Sequence, residues 1–205
     1  MKSTATVYTI GHSNHELDYF LELLNTYQIN CLIDVRTVAA SAYNPQYNKA
    51  ALQATLQAQD IVYMHFKQAF GARHDNEQLQ DDSGQVDFQA VQKSQAFLEG
   101  VERVKKGLAK NYRIALMCSE GHPLECHRFS MIAVYLEQIG IEVQHILRNS
   151  SLASHQTLEA DLLEKFKKKL PQPSLFEPHI DQAAQLKAAY RLHNEQIGWR
   201  KKAGY

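Results

Sequence analysis

The chain is poor in cysteine, has no long apolar run and carries no excess of charge of either sign. Its three cysteines, Cys31, Cys118 and Cys126, are too few for a disulfide framework. That usage fits a reducing, cytoplasmic setting. No apolar stretch approaches the roughly 18–20 residues that a membrane helix requires, so no membrane association is expected. The opening MKSTATVYTIGHS holds one lysine and no apolar core, unlike a secretory signal. Lys+Arg and Asp+Glu each number 22, and this zero net charge disfavours a general nucleic-acid binder. Neither an internal repeat nor a low-complexity segment is visible.

What is present is alternation. β-rich runs at residues 7–10, 31–35, 61–66, 113–117 and 143–147 are separated by helix-period patterns. Leu17, Phe20, Leu21 and Leu24 share one helical face, and Leu52 and Leu56 another. Asp87 can cap a helix whose stripe runs Val91, Phe97, Val101, Val104 and Leu108. Gly140 stands where a helix stop is expected. This order predicts a three-layer α/β fold: an open, mainly parallel sheet of about five strands, helices on both faces, and a C-terminal helical tail. Residues 1–170 are expected to form the α/β domain. Residues 171–205, opened by Pro171, Pro173 and Pro178, are expected to be a helical extension packed on it. Residues 67–86 read as a long polar segment, of the kind used for lids or binding loops.

Chemistry-bearing residues gather where strands end: Gly11-His12-Ser13, Asp34 and Arg36, His65, then Cys118 to Arg128, then His145 and Arg148. In a parallel sheet these ends share one edge, where open α/β proteins bind ligands. Ser13-Asn14-His15-Glu16 also has capping-box spacing, which alone would explain Ser13. Asp34 and Arg36, two apart, could pair on one face of a strand.

The densest stretch is LMCSEGHPLECHR, with Cys118, Glu120, His122, Cys126, His127 and Arg128 at a strand-to-helix turn. Three chemistries are open. A thiolate at Cys118 would need a cation or helix N-terminus, and Glu120 opposes it. Cys118, His122, Cys126 and His127 are zinc-type ligands, but the spacing is unusual and adjacent residues rarely bind one ion. Free N–H groups at the helix start, with His127 and Arg128, would hold a phosphate or carboxylate.

These residues resemble a known family. TIGHS, LIDVR, NPQYN, LMCSEGHPLECHR and AYRLHNEQIGWR together look like the domain of unknown function 488 family. The resemblance implies a small prokaryotic α/β protein with no settled activity. It places the family pattern on Gly11, His12, Ser13, Asp34, Arg36, Asn44, Pro45, Cys118, Glu120, Cys126, His127 and Arg128. Two departures stand out. Residues 37–43 lack the proline and further arginine usual there, and Gly71-Ala72-Arg73 stands for Gly-Gly-Arg.

The expectation is therefore an α/β protein with a ligand or active site at one strand edge, suited to a phosphate-bearing or nucleotide-type small ligand. Glu120, Cys118 and Asp34 are the catalytic candidates. Gly11, His12, Ser13, Arg36, Cys126, His127 and Arg128 are the anion-binding candidates. No cofactor and no bound metal is expected. The rivals are a binding module for nucleic acid or protein, with residues 165–169 and 200–202 as basic contacts, and a zinc-binding domain.

Overall fold

A computed structural model describes residues 5–172 and 180–201. Met1 to Thr4, Pro173, Pro178 and Lys202 lie outside the described residues. Among the described residues, six strands form one sheet in the order β3-β2-β4-β1-β5-β6. β1 (Thr6–Gly11), β2 (Cys31–Asp34), β3 (Val62–His65), β4 (Ile114–Cys118) and β5 (Glu142–Ile146) pair in parallel. β6 (Leu152–Ser154) is antiparallel to β5. Sequence periodicity does not reveal β6, because three residues with an exposed Leu152 carry no alternation to read.

Side chains alternate across the sheet, so each strand feeds two cores. Tyr8, Ile10, Leu32, Ala115 and Met117 meet α1 (Leu17–Thr26) and α2 (Lys49–Gln57) on one face. Val7, Ile33, Leu116 and Cys118 meet the other face. That face is covered by α3 (Lys67–Phe70), α4 (Phe88–Lys93), α5 (Gln95–Ala109) and a π-helical turn, Arg128–Ala133, which continues into α6 (Val134–Gln138). This is why β1, β2 and β4 are apolar nearly throughout: they are buried on both sides. α7 (His155–Phe166) and α8 (Gln182–Ile197) close a third cluster around Leu158, Leu162, Phe166 and Ala189. His193 of α8 also reaches back to the Leu124 carbonyl at 2.7 Å. No helix among the described residues is long and apolar enough to cross a membrane.

Three local expectations are corrected. Ser13 does not cap α1: it has φ 48° and its Oγ bonds Asn14 Oδ1, while Glu16 occupies the cap position. The chain needs a tight turn out of β1 before a helix can start. The stripe from Val91 to Leu108 belongs to two helices, because Ser94 turns extended and caps α5 through the Phe97 N–H. The polar segment 67–86 is partly structured, opening with α3 and holding a 3₁₀ turn, Glu77–Leu79. Asp87 does cap α4, accepting from Gln89 N at 2.8 Å. Asp87→Ala is expected to lower stability by about 1 kcal/mol, read as a shift in urea midpoint.

Candidate functional site

The chain runs from β1 through α1 to β2, and from β4 through the 128–138 helical segment to β5. The two connections leave adjacent strands in opposite directions, and their helices lie on opposite faces. The C-terminal ends of β1 and β4 are therefore the topological switch point, the kind of place where such sheets bind ligands. Register aligns Gly11 with Cys118, and Asp34 with both Met117 and His65. The ladder continues past the strands, with His12 N donating to Cys118 O and Ser13 N to Ser119 O, both at 2.9 Å. His145 lies short of this edge, opposite Thr9, and is fully buried, so it belongs to a different environment.

Two neighbouring groups occupy the edge. The first is a buried network. Asp34 receives Arg36 Nη2 at 2.7 Å and Nε at 2.9 Å, and the Tyr63 hydroxyl at 2.7 Å. Arg36 also donates to Tyr47 O at 2.7 Å and contacts His12 Nε2 at 3.1 Å. Burial works against the Arg36 cation, but the Asp34 carboxylate more than offsets it and its pKa rises. His12 stacks on Tyr47 at 4.2 Å, and burial with the nearby Arg36 lowers its pKa to about 4. It is neutral, so Nε2 accepts from Arg36 and Nδ1 donates to Ser13 O at 2.8 Å.

The second is the thiol cluster. Glu120 is exposed as a residue, but its carboxylate turns in to accept the Cys118 thiol at 2.8 Å. Cys118 Sγ and Cys126 Sγ lie 3.8 Å and 3.6 Å from His127 Nδ1. His127 Nε2 faces Phe70 O at 3.0 Å and Val35 O at 3.3 Å, so its proton sits there. Arg128 N approaches Cys126 Sγ at 3.4 Å. Burial and the neighbouring Cys126 sulfur push the Cys118 thiol well up. Burial opposes ionisation of Cys126, yet the Cys118 thiol, Arg128 and His127 together bring its pKa well below the usual thiol range. Burial and the Cys126 sulfur raise that of Glu120. Of the two thiols, Cys126 is thus the more acidic. The sequence holds only part of the cause, a cysteine followed by His127, Arg128 and a helical start; the contact with Cys118 comes from folding.

The arginines singled out from sequence are both enclosed. Arg128 is fully buried and latches the 120–121 segment, donating to Glu120 O at 2.7 Å and Gly121 O at 3.1 Å. Arg36 is consumed by Asp34, Tyr47 and His12. Beside β1, Arg148, after β5, is an exposed cation, and its Nη2 bonds Asn14 Oδ1 at 3.0 Å. An alanine methyl placed at Gly121 would lie 3.1 Å from Arg148 Cδ and 3.1 Å from Ser13 Oγ, so these three residues adjoin. His122 caps the 3₁₀ turn Pro123–Glu125, accepting from Leu124 N at 3.2 Å, and stays apart from the thiol cluster. Phe70 O, a partner of His127, comes from the segment 67–86, read from sequence as a lid or binding loop but without pointing to a backbone carbonyl as a partner of His127.

No curated protein and no solved structure matches the chain. A family model, Domain of unknown function DUF488, matches residues 16–136. That span holds β2 to β4, Asp34, Arg36 and the whole segment from Cys118 to Arg128, and leaves out the Gly11-His12-Ser13 turn. With more than half of its residues matched, the chain belongs to the domain of unknown function 488 family.

Proposed function

We propose that this protein is an enzyme acting on a small phosphate-bearing substrate of the nucleotide class. Its active site is at the C-terminal ends of β1 and β4, and Glu120 is its proton-transferring group. The observation that carries this reading is the placement of Glu120. It is an exposed residue at the switch point, with its carboxylate oriented by a 2.8 Å bond from a buried thiol. A carboxyl held in a fixed place at the strand edge, with burial raising its pKa, is suited to general acid–base chemistry. Cys118 orients it. Gly11 lets the two strand ends close up, and Asp34 and Arg36 stiffen the floor through His12 and Tyr63. Arg148 meets the anionic end of the substrate, in place of the enclosed Arg36 and Arg128.

Turnover of a panel of nucleosides, nucleotides and phosphoesters tests the reading. Glu120→Gln keeps the shape of the side chain and removes its titrating oxygen, so turnover should fall by about 10²–10⁴-fold. Arg148→Ala should raise KM for phosphate-bearing substrates more than it lowers kcat. Equal turnover by wild type and Glu120→Gln would end the assignment.

A further inference from the structure

We propose that Cys118 Sγ, Cys126 Sγ and His127 Nδ1 form a three-ligand site for a divalent metal of the zinc class, with its open position toward Glu120. This deepens the reading of the same strand-edge site and rests on it. Its test is metal content, so either proposal can fail without the other.

The geometry is that of a ligand set. The three atoms lie within 4.8 Å of one another. Zinc bonds of about 2.3 Å to sulfur and 2.0–2.1 Å to nitrogen, at tetrahedral angles, put sulfur and nitrogen about 3.6 Å apart. The separations here are 3.6 Å for Cys126 and 3.8 Å for Cys118. The surroundings fit as well. Metal-binding histidines give their other N–H to a carbonyl, which fixes the ring. His127 Nε2 is so placed against Phe70 O and Val35 O, and Nδ1 is left facing the sulfurs. The Arg128 N–H at 3.4 Å from Cys126 Sγ is a second such outer contact. A disulfide between the cysteines would explain two of these groups and leave His127 Nδ1 without purpose.

Adjacent residues seldom bind one ion. Here the backbone permits it. Cys126 is extended (φ −140°, ψ 141°) and His127 is helical (φ −58°, ψ −22°), and this change of direction turns both side chains toward Cys118. His122, the remaining candidate ligand, is occupied by its cap.

Two thiolates and an imidazole leave a fourth position for water or substrate, the pattern of a catalytic rather than a structural centre. Such an ion activates water for hydrolysis, and a carboxylate beside it that is not a ligand carries the proton. Glu120 Oε2 lies 2.8 Å from the Cys118 sulfur, so with Cys118 a metal-bound thiolate the carboxyl of Glu120 is the donor in that contact, and it stands where the proton-carrying group is needed. The substrate class that follows is one cleaved by water.

The full chain, purified without chelator, should hold about one equivalent of metal by elemental analysis. Dialysed against Co²⁺, it should show thiolate-to-cobalt absorption. Cys118→Ser and Cys126→Ser should each lose the metal and that absorption while keeping the wild-type circular dichroism. Glu120→Gln should keep both. If a variant fails to fold, the wild type still decides. No metal on purification and none taken up from Zn²⁺ or Co²⁺ overturns the site, as does full metal content in either serine variant.

Discussion

Gly11→Ala is expected to cost about 3 kcal/mol of stability, the upper end of what overpacking does, and to abolish any activity of the strand-edge site. An alanine methyl there would fall 1.8 Å from Glu120 O, 2.8 Å from Glu120 C and 3.2 Å from Arg128 Nη2. The first two are backbone atoms and cannot swing aside. Relief requires the Glu120 segment to move by more than an ångström, and that segment is bonded to Arg128 at Glu120 O and at Gly121 O. A buried guanidinium would then lose a partner, which is costly in its own right. Gly11 is not in the left-handed region, so the demand is for room rather than for an unusual φ. Gly140 is the contrast. It has φ 82° and nothing within 4 Å of an added methyl, so Gly140→Ala should cost only the left-handed backbone penalty of about 1–2 kcal/mol. Urea unfolding of the two variants separates contact from conformation. A Gly11→Ala protein as stable as wild type would mean that the β1 and β4 ends are not held together as described.

The same contact shows why this edge was readable from sequence and where reading stopped. The layers follow from alternation and from apolar strands, which local chemistry fixes. Parallel pairing then brings Gly11, Asp34, His65 and Cys118 to one edge whatever their distance along the chain. The roles of individual cations were not readable, because burial is a tertiary property. Arg36 and Arg128 look like anion binders in a string of letters, and both are enclosed. Arg148 brings an exposed charge to β1 from just after β5, whose position beside β1 depends on strand order. Likewise Cys118 draws notice first, but the acidic thiol is Cys126. The difference arises from the Cys118 thiol, the Arg128 charge and the His127 ring fixed by Phe70 and Val35, an arrangement that only folding assembles. Ser13 shows the opposite error, where a complete local motif is overridden by the turn that must precede α1.

Stability should fall as pH drops from about 7 to about 5, by about 2 kcal/mol for each of His12 and His155, with His145 adding to it. His145 and His155 form a one-way hydrogen-bond chain. Tyr190 donates to Glu159 Oε1 at 2.9 Å, so its oxygen accepts from His155 Nε2 at 2.8 Å. His155 Nδ1 is then the acceptor for His145 Nε2 at 3.2 Å, and His145 Nδ1 accepts from Thr9 Oγ1 at 2.8 Å. Every link holds one proton only when both rings are neutral. Burial lowers the His155 pKa to about 4, and burial with the neighbouring His155 lowers that of His145 well below the ordinary value of 6.5. His12 is lowered to about 4 by burial and Arg36. The direction follows from these signs. Below 6.5 the unfolded chain takes up protons that the folded chain refuses, so the stabilisation is complete above 6.5 and is lost as pH falls toward about 4. Glu120, Glu137 and Glu159, whose pKa values are raised chiefly by burial, act the other way and offset part of the loss. Urea midpoints across this range measure the slope. His155→Gln should lower stability at neutral pH, because it breaks the chain to Tyr190, and should flatten the slope, because one refused proton is gone. An unchanged slope in that variant would show that the fold does not hold His155 neutral. The neutral pair, His145 of β5 and His155 at the start of α7, makes its hydrogen bonds to Thr9 and Tyr190 and not to the thiol cluster, so this acid sensitivity should persist in Cys118→Ser and Cys126→Ser whether or not metal is bound.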